Sequence, residues 1–197
     1  MEIRNLKVGS YQTNCYIAWG DGEDSCLIVD PGFEPEYILE QVRHWGKTPE
    51  AILLTHGHFD HVGGVKHIAG ETGCRVFICK EDLGLNPMLT DGAIYATDTY
   101  AQGDTLELAG LRLQVKQTPG HTPGSVCLIC GDTIFSGDTL FAGTCGRTDL
   151  PGGSGGQMQQ SLAALAALEG DYRVLPGHGC TTTLEEERRS NPFMQGI

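Results

Sequence analysis

Thr55-His56-Gly57-His58-Phe59-Asp60-His61 places three imidazoles and a carboxylate in seven residues, directly behind the apolar run Ala51–Leu54. Two more histidines occupy comparable places, His121 closing Thr118-Pro119-Gly120-His121 and His178 closing Pro176-Gly177-His178. Each of these segments follows a stretch that reads as a β-strand. Ser136-Gly137-Asp138 repeats the arrangement behind Thr133–Phe135 and adds a carboxylate. Strand ends carrying Gly or Pro are where a sheet presents side chains to a ligand, because the backbone can turn sharply there.

If the H-x-H-x-D-H stretch were extended, His56, His58 and Asp60 would point one way and His61 the other. A tight loop lets all four converge. Imidazole nitrogen and carboxylate oxygen suit zinc, and a carboxylate such as Asp138 can hold two ions together. The candidate ligands are therefore His56, His58, Asp60, His61, His121, Asp138 and His178. Seven ligands for two divalent ions leave positions open for water, as a catalytic site requires. The two remaining histidines, His44 and His67, have no such context and read as ordinary core or turn residues.

Outward from these segments the chain alternates strands and helices. Tyr16–Trp19 and Cys26–Val29, separated by a polar Gly-containing turn, read as a hairpin. Ile38, Val42 and Trp45 recur on one helical face over Glu36–Trp45, and Gly46 is a natural stop. Ala51–Leu54, a short helix marked by Val65, Ile68 and Thr72, and the β-rich run Cys74–Ile78 make a βαβ alternation. Leu83–Asp104 shows no period and reads as a long loop over a site. Leu106–Leu108, Leu111–Val115, Val126–Ile129 and Thr133–Phe135 form an antiparallel meander. Met158, Leu162 and Leu165 give Gly156–Leu168 a helical face. A strand at Tyr172–Leu175 precedes a helix whose Thr183 and Glu186 have capping-box spacing. Helices covering two packed sheets accommodate all of these, so the expected class is α/β (α+β), a four-layer αβ/βα sandwich.

At 197 residues and 40% hydrophobic content the chain suits one domain spanning 1–197. No apolar run approaches the roughly 20 residues that span a bilayer, and the opening lacks the pattern of a signal peptide. The expected location is the cytoplasm. Eight cysteines are then expected as reduced thiols, with Cys127 and Cys130 as buried hydrophobes. A formal charge of −12 repels phosphate backbones, and the one contiguous basic pair, Arg188 and Arg189, directly follows Glu185–Glu187. The expected partner is a small-molecule substrate, not nucleic acid or membrane, for a monomer or homodimer.

With its H-x-H-x-D-H loop at 56–61 and further ligands at 121, 138 and 178, the chain resembles the metallo-β-lactamase superfamily along nearly its whole length. The resemblance implies an αβ/βα fold, with His56, His58 and His121 on a first metal, Asp60, His61 and His178 on a second, and Asp138 on both. It also implies that Asp30 of Val29-Asp30-Pro31-Gly32 supports ligands from behind. Gly137-Asp-Thr-Leu-Phe141, Cys145-Gly-Arg147 and Pro176-Gly-His178 look most like glyoxalase II and its short bacterial relatives, which hydrolyse acylglutathione thioesters. Arg147 matches a basic residue that helps hold glutathione in that family, but the aromatic residue expected two positions later is Asp149 here. Only 19 residues follow His178, so no C-terminal helical glutathione-binding domain is expected.

The implied chemistry is hydrolysis of a small acyl thioester by a hydroxide bridging two ions, with Asp60 or Asp138 orienting it and passing its proton on. Zinc is the expected metal, with iron or manganese as alternatives. A mononuclear iron persulfide dioxygenase, using positions matching His56, His121 and Asp138, is the competing enzyme. Hydrolysis of another ester or lactone, and a non-catalytic metal-binding module, are the other readings.

Overall fold

A strand buried on both faces needs a covering layer on each side of its sheet, and this condition shapes the molecule. The structure, a computed structural model, describes residues 1–92 and 94–196. One sheet runs in the order β1 (Glu2–Val8), β2 (Thr13–Trp19), β3 (Ser25–Val29), β4 (Thr48–Leu53), β5 (Arg75–Cys79) and β6 (Asp98–Tyr100). Its first three strands are antiparallel and its last four run parallel. The β3-to-β4 crossover is helix α1 (Pro35–His44); the next holds α2 (Phe59–Val62) and α3 (Val65–Thr72).

Between β5 and β6 lie a 3-10 turn, Lys80–Gly84, and helix α4 (Pro87–Thr90). In the second sheet β7 (Thr105–Leu108), β8 (Leu111–Gln117), β9 (Val126–Cys130) and β10 (Thr133–Gly137) form the expected antiparallel meander. A small hairpin, β11 (Leu140–Phe141) with β12 (Thr144–Cys145), and helix α5 (Gly155–Ala166) come next. Strand β13 (Arg173–Pro176) returns parallel to β10, followed by β14 (Thr182–Thr183) and helix α6 (Leu184–Ser190).

Strand alternation sorts the side chains into layers. Tyr16 and Ala18 of β2, with Ala51 and Leu53 of β4, meet Leu113, Val115, Leu128 and Phe135 of the other sheet. The intervening Cys15, Ile17 and Ile52 pack instead against Ile38, Leu39 and Val42 of α1 and Val65 and Ile68 of α3. On the far side Cys127, Ile134 and Val174 pack under Met158, Leu162 and Leu165 of α5 and Leu184 of α6. The result is the four-layer αβ/βα sandwich. Cys127 and Cys130 fall on opposite faces of β9, so they do not form one thiol pair. Among the described residues no helix is long and apolar enough to cross a membrane.

One strand was not anticipated and two local expectations are corrected. Strand β1 carries only scattered apolar residues because it is an edge with five of seven residues exposed or half-buried. The stretch expected as a loop over 83–104 contains the end of the 3-10 turn, α4 and β6. Strand β6 has three residues, too few to show a period, and exists through pairing with β5, Phe77 opposite Asp98 and Cys79 opposite Tyr100. Thr183 caps α6 by accepting from Glu186 N, but the Glu186 carboxylate turns to Arg189 rather than completing a capping box.

One end of the sandwich gathers the four strand-end segments singled out above. Asn14 N donates to Gly177 O at 2.7 Å, Gly177 N to Gly137 O at 2.9 Å and Val126 N to Thr55 O at 2.9 Å, which ties the segments across both sheets. The buried Asn14 amide also donates to Pro176 O at 2.9 Å and Gly179 O at 3.2 Å. Replacing it removes two hydrogen bonds, each worth about 0.5–1.5 kcal/mol net and together about 1–3 kcal/mol. Asn14→Ala should lower stability by that amount in urea unfolding, and a change indistinguishable from zero would show that the amide does not hold the His178 turn.

Candidate metal centre

After β4 the chain turns within a few residues into the short helix α2, and Gly57 fits where a Cβ would stand 2.5 Å from Ile94 Cδ1. His58 is the residue before that helix, in extended conformation, while Asp60 and His61 lie in its single turn. The three imidazoles and Asp60 therefore converge, as the extended stretch could not. His121 arrives from the β8–β9 turn, Asp138 from the end of β10 and His178 from the end of β13. Gly177 permits the last approach, since a Cβ there would stand 2.2 Å from Asp138 Oδ1 and 2.7 Å from His61 Cε1.

The structure brings together all seven candidate ligands. His56, His58 and His121 offer donor atoms within 4.8 Å of one another, and so do Asp60, His61 and His178. Asp138 lies between the two triads: Oδ1 is 3.5 Å from His61 Nε2, and Oδ2 is 3.5 Å from His121 Nε2 and 3.7 Å from His178 Nε2. His44 and His67 lie elsewhere, and His67 Nε2 is 3.1 Å from Glu71 on the exposed face of α3.

Most of the imidazoles are held by the ring nitrogen facing away from the centre. His121 Nδ1 donates to Arg147 O at 2.8 Å and His178 Nδ1 to Tyr11 O at 3.2 Å, which fixes both tautomers with Nε2 inward. His61 Nδ1 donates to Asp30 at 3.0 Å, and Asp30 also accepts from Thr55 N and Thr55 Oγ1 at 2.8 and 2.6 Å. Asp30 thus supports ligands in the way the family resemblance implies.

The inward atoms fit divalent ions. His56 Nε2 and Asp138 Oδ1 are buried without a hydrogen-bond partner among the described residues. His61 Nε2 and His178 Nε2 are 3.3 Å apart, and two nitrogens at about 2.0–2.1 Å from a tetrahedral zinc stand roughly 3.3 Å apart. His58 Nδ1 and His121 Nε2 are closer, at 2.8 Å.

Charge is distributed unevenly across the two triads. Burial, reinforced by His61 and His121, drives the His56 imidazole well below its ordinary value. Burial and His121 likewise take His58 down to about 4. Burial also opposes the charge on His61, but Asp138 and Asp30 outweigh it and raise His61 to about 9. His178 is raised too, the hydrogen bond to Asp60 and the charge of Asp138 overcoming its burial. For Asp60, burial raises the carboxyl but the bond from His178 and the charge of His61 hold it at about 2.

Beside the centre opens a cavity of about 540 Å³, lined by Tyr11, Phe59, Leu89, Phe141 and Leu150 along with several candidate ligands and Arg147. Phe59 and Phe141 lie inside motifs quoted above, whereas Tyr11, Leu89 and Leu150 carry no sequence signal, because they come from three further segments. Arg147 stands at the mouth, exposed, with its guanidinium making two 2.7 Å hydrogen bonds to Asp149. The ligand-supporting part of Arg147 is its carbonyl.

Comparison with known proteins agrees with this geometry. The profile of the metallo-beta-lactamase superfamily matches residues 8–178. Hydroxyacylglutathione hydrolase GloC of Haemophilus influenzae is 34% identical over 98% of both chains. Among solved structures, the BLEG-1 B3 metallo-beta-lactamase has a TM-score of 0.90 at 33% identity, covering 99% of this chain and 100% of its own. TTHA1623 in a di-iron-bound form has a TM-score of 0.84 at 38% identity, covering 96% and 99%.

Metal binding must displace any proton held by a ligand. His56 and His58 are already neutral at pH 6, whereas His61 holds its proton until about pH 9. In metal titrations of the chelator-treated chain, the affinity of the triad Asp60, His61 and His178 should fall at least about tenfold per pH unit from pH 8 to 6, since binding displaces the His61 proton and, where the raised His178 is also protonated, a second one. The triad containing His56 and His58 has no such proton to displace from either residue. Parallel pH dependence of both steps would contradict the asymmetry. By elemental analysis, Asp138→Ala should lose or disorder both ions, while His44→Ala and His67→Ala keep full metal content.

Proposed function

The chain belongs to the metallo-β-lactamase superfamily, and from that premise we propose that it is a two-ion hydrolase of small acyl thioesters. The observation that carries the proposal is Asp138, whose two oxygens face two complete triads. A carboxylate so placed has little purpose in a one-ion site. The 34% identity with a hydroxyacylglutathione hydrolase over nearly all of both chains supports the thioester class.

His56, His58 and His121 would hold one ion and Asp60, His61 and His178 the other, and when bound these would supply an acidified water and a Lewis acid for the acyl carbonyl. The chain's own groups do the rest. Asp60, ionised and 3.2 Å from His178 Nε2, is the carboxylate that orients the attacking water and accepts its proton. Tyr11, Phe59, Leu89, Phe141 and Leu150 exclude bulk water and hold the acyl group by apolar contact. A thiolate leaves without a strong general acid, which suits a site whose nearby Asp60 is fully ionised.

Arg147 is the one basic side chain among the described lining residues, apart from histidine, and Asp149 already engages it. An exposed pair of this kind holds only weakly, so Arg147 can contribute modestly to an anionic thiol part. We take the substrate to be a small molecule and not a nucleic acid. Arg188 supports this by donating to the carbonyls of Ala166 and Gly170 at the end of α5, and Arg189 by pairing with Glu186.

Zinc is the proposed metal, and the di-iron form of TTHA1623 makes iron the alternative to measure. Elemental analysis of protein purified without chelator should give two ions per chain; one iron and no zinc would overturn the two-ion hydrolase. In steady-state assays, lactoylglutathione and the same acyl group on a truncated thiol should differ by no more than about tenfold in kcat/KM, equivalent to about 1.4 kcal/mol. Arg147→Ala should erase most of that difference. A preference of several thousandfold would demand an extensive peptide site, and a β-lactam turned over faster than every thioester would move the assignment toward the activity in BLEG-1's name.

A further inference from the structure

Asp82 belongs to none of the groups assigned so far, yet its side chain is completely buried. In the sequence it stands in Lys80-Glu81-Asp82, a charged run of the kind that normally faces water. The 3-10 turn after β5 points it inward instead. Its Oδ2 accepts from Gly57 N at 2.8 Å and Thr122 Oγ1 at 2.9 Å, and its Oδ1 accepts from Gly124 N at 2.6 Å. Thr122 Oγ1 is in turn 2.7 Å from Ser125 Oγ, whose oxygen accepts from Thr122 N at 3.0 Å.

Burying a carboxylate is expensive unless hydrogen bonds replace its water. Here three neutral donors do so, and their positions are specific. Gly57 separates His56 from His58; Thr122 and Gly124 follow His121. One carboxylate therefore clamps together the two loops that carry the triad His56, His58 and His121. The second triad is supported elsewhere: His61 by Asp30 and His178 by the Tyr11 carbonyl. The clamp has little slack, since a Cβ on Gly124 would come within 2.6 Å of Asp82 Oδ1.

We propose that Asp82 is a positioning residue that sets the metal affinity of the His56, His58 and His121 triad selectively, while Asp30 supports the other triad. The proposal rests on the two-triad reading of the site. Groups behind metal ligands typically influence affinity by about 10–100-fold. Gly57 shares its loop with Asp60 and His61, so selectivity rests on Gly57 standing between His56 and His58 while Asp60 and His61 lie beyond it in the turn of α2, with His61 held by Asp30, and on no donor to Asp82 belonging to the segments bearing Asp138 or His178.

The test is zinc affinity, by chelator competition, in two backgrounds of the full chain. His178→Ala leaves the first triad intact and His58→Ala leaves the second. Asp82→Asn keeps the shape but turns one acceptor into a donor facing a donor, so it should weaken zinc about 10–100-fold in the His178→Ala background and leave affinity unchanged in the His58→Ala background. Thr122→Ala, which removes one donor of three, should show a smaller loss with the same selectivity, restored by Thr122→Ser. If Asp82→Asn does not fold, the Thr122 pair decides by the same criterion. Equal losses in both backgrounds, or none in the first, overturn the proposal. The His178→Ala measurement needs only the first triad, so a parent chain shown to hold a single ion would refute the two-ion hydrolase while leaving this result decisive.

Discussion

Imidazole nitrogens that face one another in a buried space are costly to assemble. His58 Nδ1 and His121 Nε2 stand 2.8 Å apart, and His56 Nε2 and Asp138 Oδ1 have no hydrogen-bond partner among the described residues. Without an ion, the two rings share one N–H···N hydrogen bond, while His56 Nε2 and Asp138 Oδ1 lose water and gain nothing in return, a penalty of order several kcal/mol for the set. The chain holds them there regardless, which requires a scaffold rigid enough to oppose the repulsion and a ligand that relieves it. Divalent cations meet the second need, because they use these same lone pairs.

The sandwich meets the first. Strands buried on both faces cannot shift register without exposing a whole apolar set, so the ends of β4, β10 and β13 are fixed in relation to one another. Backbone hydrogen bonds from Asn14, Gly177 and Val126 then link the loops across the sheets. Buried carboxylates complete the support, Asp30 beneath Thr55 and His61, and Asp82 between Gly57 and the turn at Thr122. The same arrangement explains why the two triads differ in charge. On one side burial, reinforced by the neighbouring imidazoles, keeps His56 and His58 uncharged. The His61 and His178 side faces Asp60 and Asp138, with Asp30 behind His61, and their charge favours protons when no metal competes.

Much of this was legible in the residues themselves. The helical faces of α1, α3 and α5 and the alternation of the meander are local patterns, and local patterns survive tertiary packing when they agree with it. The H-x-H-x-D-H loop and the three other strand-end segments were legible for a related reason: donor atoms crowded into short Gly- and Pro-bearing turns have few structural uses. Strand β6 was illegible because three residues carry no period and its partner is distant in sequence. Strand β1 was missed because an edge buries little of itself.

The sequence by itself determined which side chains could bind a cation and that two sheets flanked by helices would present them, since both follow from residue type and short-range periodicity. Tertiary structure alone decided three other things. It gathered Tyr11, Leu89 and Leu150 into one cavity wall, tied Asn14 to the turn that carries His178, and turned Asp82 inward from a stretch that looks solvated. Each is a contact involving groups whose individual residues give no sign of it. Burial and hydrogen bonding depend on where the chain returns to itself, and residue type and local spacing do not encode that distance.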